Sequence, residues 1–329
     1  MGNNTQNLTP KPFKEIYDQV AILESRGICI TDKDAAAHFL ITHNYYSMIN
    51  DYGKFFTSSS DVYVSNVTLH DIEHVFIFDK KLKSILFTHL LEIEKYLKAI
   101  LAYYFCLEHP GQYDFLDINC YKHSNAQQRL QAIETISRIS KVINKNKKNP
   151  NAISHYIAKH DGVPLWVVIQ FMQLGDAIEL YDCSDDIVQS NVAREFSKFL
   201  KENTGNPMAF YQPKQLYQLL QELRDIRNIV AHNNRLFDHR GSHSVPYISD
   251  LHDTLGITAS ASKSDLYNTY IAMACLLSKD EYVNMQKSLV ECFQGLKKDV
   301  KCIDCNTILN SLGFPSDWQE VNANSKSST

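Results

Sequence analysis

The segment 219–236, LLQELRDIRNIVAHNNRL, gathers side chains whose chemistry suits a phosphodiester. Arginine presents a rigid fork of N–H donors to phosphate oxygens, and histidine near neutral pH can both accept and donate a proton. With Arg224 at the origin of an ideal helical wheel, Arg227, Ala231, Arg235, Asn228 and His232 fall within an arc of about 140°. Ile226, Leu219, Val230, Leu223 and Ile229 take the opposite side, so the spacing predicts an amphipathic helix over 213–236. Its polar face holds three arginines, an asparagine and a histidine, and no carboxylate among them. Surface helices normally interleave Glu with Lys. Residue types alone leave two readings open: a phosphate or RNA site, and an ordinary solvated face.

Other candidates are weaker. Glu94 and Lys98, at i and i+4, read either as a pair that orients the site or as a surface salt bridge worth a few tenths of a kcal/mol. The run from Lys141 to Lys148 holds four lysines and two asparagines and reads as a solvated loop or as an RNA backbone contact. Cys302-x2-Cys305 has the spacing of a zinc knuckle but no second ligand pair, and His70 and His74 lack a metal-binding glutamate pattern, so no metal is expected. Tyr45, Tyr46, Tyr103 and Tyr104 read as packing residues rather than base-stacking ones. No P-loop or nucleophile-elbow pattern is present, and no cofactor is expected.

These residues need rigid supports, and the composition supplies them. Eleven Gly and nine Pro in 329 residues amount to roughly half of average usage, which predicts an all-α chain of long elements. Gly53 and Pro110 bracket 56 residues free of both types, and Pro213 and Gly241 bracket 27. In the first interval Thr68, with Asp71 three residues on, predicts a helix start. Leu82, Leu86, Leu90, Ile93, Leu97 and Leu101 carry the pattern to about Cys106, with a break expected near Asp79. Earlier helices are expected from Phe13 to Gly27 and from Thr31 or Asp32, where Thr31 and Asp34 resemble a capping box, with a loop over 57–66. Later ones are expected at 125–144, 151–160, 164–181 with a bend at Gly175, 185–201, 264–278, 279–300 and 303–312.

The net charge of −4 announces no polyanion partner, so a nucleic-acid role must rest on a local patch. Eight dilute cysteines show no disulfide framework, and no apolar run reaches membrane-span length. The expectation is a soluble, cytoplasmic protein without a membrane partner.

Arg227-Asn228-Ile229-Val230-Ala231-His232 matches the R-x4-H signature of HEPN domains, and the surrounding LRDIRNIVAHNNRLFD resembles the AbiD/AbiF-like abortive-infection family. Further blocks follow in the order of that family: KPFKEIYDQVAILESRGICI with Asn44-Tyr45-Tyr46, Phe78-Asp79-Lys80-Lys81-Leu82-Lys83 with Ile93-Glu94, Pro164-Leu165-Trp166 with Leu174-Gly175, and Gly313-Phe314-Pro315 with Trp318. Together they cover roughly residues 11 to 320. The chain departs from the family at Asn233, where a second histidine is frequent, and at Lys83, where arginine is usual.

The resemblance implies a helical bundle with a HEPN-type core and extra N- and C-terminal helices. It divides the chain into a flexible tail (1–12), an N-terminal helical region (13–66), a HEPN-containing core (67–320) and a flexible C-terminal tail (321–329). It further implies a homodimeric, metal-independent endoribonuclease acting in phage defence, with Arg227 and His232 catalytic and Asn228 a supporting polar group. Arg224 and Arg235 would then contact RNA, and Glu94 and Lys98 would support the site. The alternative it leaves open is a non-catalytic RNA-binding protein working in complex with a small noncoding RNA.

Overall fold

The computed structural model describes residues 12–59, 61–160 and 162–324, so most of both expected tails lies outside the described residues. Regular structure among the described residues is almost wholly helical, as the scarcity of Gly and Pro requires. The chain forms two compact units, one of residues up to Lys81 with Cys292–Leu309, the other of Leu82–Glu291 with the residues from Asn310 onward.

In the first unit, helix α1 (Ile16–Ser25) ends at Arg26, and Gly27 follows with φ +103, a conformation open to glycine. Helix α2 (Lys33–His43) starts on Asp32, whose carboxylate accepts the N–H groups of Asp34 at 3.0 Å and Ala35 at 2.9 Å. Of the two expected starts, Asp32 is therefore the cap, and the Thr31/Asp34 box does not form it. The expected loop over 57–66 contains a short hairpin, β1 (Thr57–Ser59) antiparallel to β2 (Val62–Tyr63), with Tyr63 buried beneath it. Val20, Leu23, Leu40, Phe56, Ile72 and Val75 form the core.

Helix α3 (Leu69–Glu108) begins as the sequence predicts. Asp71 accepts from the Thr68 hydroxyl at 2.6 Å and backbone N–H at 2.8 Å, while Thr68 Oγ1 accepts the N–H of Asp71 at 3.2 Å. It runs 40 residues, about 60 Å, without the break expected near Asp79. Asp79 is fully buried and accepts a 2.9 Å hydrogen bond from Tyr52, so the residue that looked like a helix breaker is held inside the core.

In the second unit, α3 from Leu82 onward buries Leu86, Leu90, Ile93, Leu97 and Leu101. Helices α4 (Ala126–Asn146), α5 (Ala152–His160), α6 (Leu174–Cys183), α7 (Asp186–Thr204) and α8 (Pro213–Ala231) follow. Helix α4 packs on α6, and α8 packs on α6 and α7. The expected helix over 164–181 breaks at Met172 and Gln173, both extended, after a 3-10 turn Ile169–Phe171; Gly175 itself is helical. Helix α8 starts from Pro213 with a reciprocal Gln212–Gln215 capping box, and Tyr181 anchors it by donating to the Pro213 carbonyl at 3.1 Å. Helices α9 (Leu266–Ala272), α10 (Lys279–Asp299), α11 (Asn306–Ser311) and α12 (Trp318–Asn324) complete the chain.

Glu222 lies on the buried side of α8, 1% exposed, accepting one hydrogen bond from Thr269 at 3.2 Å while its other oxygen sits against Gly241 without a hydrogen-bond partner. Burial pushes its pKa up from 4.5 to about 7. The folded state therefore binds more protons than the unfolded one between about pH 4.5 and 7, and stability is lost as pH rises through that window. Glu222→Gln should flatten this slope and raise the urea midpoint at pH 8. A midpoint lower than wild type at pH 8 would refute the assignment.

Candidate functional site

Helix α8 stops five residues earlier than its polar pattern suggests. His232 takes φ −90 and ψ 7, and Asn233 follows in the left-handed region at φ 56. The Asn233 N–H then bonds the Val230 carbonyl at 3.1 Å and the Asn234 N–H bonds the Ile229 carbonyl at 2.9 Å, the pairing that closes a Schellman turn. Arg235 consequently leaves the helical face on which the wheel had placed it.

The two departures from the family pattern face each other. Lys83 on α3 is buried, and its ammonium donates to Asn233 Oδ1 at 2.9 Å and to the Asn233 carbonyl at 3.3 Å. Asparagine tolerates the left-handed conformation better than most residues, and its side-chain oxygen gives the lysine an acceptor. Together they fix the turn immediately after His232, whose ring is exposed.

Arg224, Arg227 and Asn228 line one cavity of about 240 Å³, with Arg138 from α4 and Gln173, Gly175, Asp176 and Glu179 at the start of α6. Sequence reasoning missed Arg138, because its distance in the chain from α8 conceals its proximity. It also missed the carboxylates that neighbouring elements bring to a face with none of its own. Arg138 lies 3.5 Å from Asp176, Arg224 3.6 Å from Glu179 and 3.8 Å from Asp225, and Arg227 3.8 Å from Glu94. Arg138 also donates to Glu134 at 2.7 Å, but the separations to the cavity carboxylates exceed a good N–H···O bond, so these place the guanidinium groups without saturating their five donors. Gln173 provides no side-chain cap for α6, and Asp176 in its first turn sets a carboxylate at the positive end of the helix inside the cavity.

The Glu94–Lys98 pair is not a surface bridge. Lys98 donates to Glu94 Oε1 at 2.8 Å, with side-chain exposures of 9% and 12%. Glu94 Oε2 is the oxygen nearest Arg227 Nε, and both atoms are buried without a hydrogen bond. Thus Lys98, Glu94 and Arg227 form a chain of alternating charge that reaches the cavity from α3. His232 and Arg235 do not line that cavity. The chain brings together Arg227, Asn228, Arg224 and Glu94, and leaves His232 exposed at the end of α8 outside the cavity.

No group of three or more His, Cys, Asp or Glu among the described residues is arranged to hold a metal ion, and no helix among them is long and apolar enough to cross a membrane. The fold and cavity define an all-helical protein with an arginine-rich polar site on a fixed helix end. The family model described as Abi-like protein matches residues 38–238, which contain Glu94, Arg227 and His232. The chain belongs to the Abi-like protein family, a membership that points to abortive infection as its broad role. No curated protein and no solved structure matches it.

Proposed function

We propose that this Abi-like protein is a HEPN-type endoribonuclease that arrests the growth of phage-infected cells, acting in the cytoplasm as a homodimer. The observation that carries the reading is the placement of Arg227: its guanidinium lines a cavity shared with Arg138 and Arg224, oriented from behind by the nearly buried Glu94. His232 stands five residues on, exposed and held by a closed turn.

In the proposed reaction, His232 takes the proton of the ribose 2′-OH as that oxygen attacks the adjacent phosphorus, or gives a proton to the departing 5′-oxygen. Arg227 stabilises the charge that gathers on the phosphoryl oxygens, and Asn228 adds an amide at the cavity rim. The bond formed is 2′-O–P and the bond broken is P–O5′, leaving a 2′,3′-cyclic phosphate and a 5′-hydroxyl. Neither step calls for a metal. Arg227 and His232 lie about 140° apart around the axis if the helix is continued ideally to His232, so one chain assembles the pair poorly. A second copy related by a two-fold axis, the commonest closed symmetry, would bring another arginine and histidine to complete the site. The resemblance to AbiD/AbiF-like proteins suggests a natural restraint for such a toxin, a small noncoding RNA bound as a partner.

The test is incubation of the purified protein with RNA in excess EDTA, with the ends of the products mapped. Cleavage leaving cyclic phosphate ends supports the reading. An intact, discrete RNA that copurifies and is never turned over would instead support binding without catalysis.

A further inference from the structure

Beyond Arg138, which is paired with Glu134 at 2.7 Å, a run of exposed lysines lies on α4 and the turn after it. Arg138 lines the cavity, and Lys141 and Lys145 follow it at i+3 and i+7, within about 60° of it on the wheel. Lys147 ends the helix and Lys148 follows. All four lysines are exposed. Lys141, Lys145 and Lys148 make no ion pair among the described residues, and Lys147 only donates to Asn144 Oδ1 at 2.8 Å. Some exposed lysines find carboxylates, as Lys33 does with Glu24, Lys95 with Glu92 and Lys198 with Glu195, and others, such as Lys159 and Lys287, do not; what sets this run apart is four lysines within eight residues. No Asp or Glu occurs between Glu134 and Asp161, so the segment itself supplies no carboxylate to offset these lysines.

We infer that the exposed face from Arg138 to Lys148 is a track for the sugar–phosphate backbone of single-stranded RNA, leading into the Arg224–Arg227 cavity. The inference rests on the RNA reading above and names the surface that delivers the strand. From Arg138 to Lys145 the helix rises about 10 Å, so the track supplies a line of charge continuous with the cavity arginines rather than an isolated patch. Lysines are hydrated point charges on flexible stems, suited to following a backbone without reading its sequence. Asn144, exposed between them and accepting from Lys147 through its oxygen, adds amide N–H donors for phosphate and sugar oxygens. A membrane surface fits less well, because none of the large exposed apolar side chains falls between 138 and 148.

The experiment compares the wild-type protein with the triple variant Lys141→Gln, Lys145→Gln, Lys148→Gln. The probe is a fluorescein-labelled 2′-O-methyl RNA, which lacks the attacking hydroxyl and stays intact. Anisotropy titrations across a range of salt concentrations should show affinity falling about tenfold at low salt, with the slope of log K against log salt reduced by about 2, near 0.7 for each lost single-strand contact. The helical CD spectrum should be unchanged, since the three side chains are exposed. Equal affinity and equal slope in the two proteins, with wild type still cutting unmodified RNA, would overturn the track and leave the nuclease reading standing. A wild-type protein that neither binds the probe nor cuts RNA overturns both. Equal loss of binding to polyglutamate would make the face a general polyanion surface and overturn its assignment to RNA.

Discussion

Arg227→Ala should lower RNA cleavage by about 100- to 1,000-fold, the usual cost of removing one fixed donor that stabilises transition-state charge. His232→Ala should cost about 100- to 10,000-fold, the range that a positioned proton donor or acceptor contributes. Both variants should keep the wild-type helical CD spectrum, because His232 is exposed and caps α8 through its backbone, and the Arg227 guanidinium makes only a 3.8 Å contact with Glu94. Arg227→Lys should fail nearly as badly as Arg227→Ala. A lysine could reach toward Glu94 but would present a point charge where the cavity holds a planar fork. Measured as single-turnover rates at saturating RNA, these losses separate chemistry from binding. Full cleavage by both alanine variants would sink the catalytic assignment.

The parts of this picture that sequence displays are those set by local chemistry. The start of α3 is legible because Thr68 and Asp71 cap it within three residues, and the core of α8 is legible because Leu219, Leu223, Ile226 and Val230 repeat at helical spacing. The end of α8 is less so. Arginines and amides continue the polar pattern to Arg235, and only the pair Asn233-Asn234 hints that a left-handed residue will stop the helix. Asp79 shows the opposite error: a charged residue in an apolar pattern suggests a break, yet its carboxylate is buried under the Tyr52 hydroxyl. What sequence does not display is who meets whom. Arg138, Asp176 and Glu179 reach the cavity from α4 and α6, and Lys83 finds Asn233 across 150 positions. None of these partners has a spacing that could announce it.

The same blindness hides the cost of Glu94. At i and i+4 with Lys98 it has the spacing of an exposed helix pair worth about 0.3–0.5 kcal/mol. In the fold both side chains are nearly buried, at 12% and 9% exposure, and Glu94 is also the nearest carboxylate to Arg227. Removing one partner of a buried pair leaves the other charge unpaired in a poor solvent, a loss of about 3–5 kcal/mol. Glu94→Ala strands the Lys98 ammonium in this way and should lower the urea midpoint sharply. The double variant Glu94→Ala, Lys98→Met should recover much of that loss, because it removes the stranded charge and fills the space with apolar atoms. Glu94→Gln keeps the shape and an acceptor for Lys98 but removes the charge facing Arg227. In that variant kcat should fall with KM little changed, as expected when the guanidinium is oriented less well for the transition state and RNA still binds elsewhere. A purely structural Glu94 would move the midpoint and leave kcat of the folded fraction alone. If Glu94→Ala shifts stability by less than about 0.5 kcal/mol, the pair behaves as an ordinary surface bridge and the buried charge chain to Arg227 is wrong.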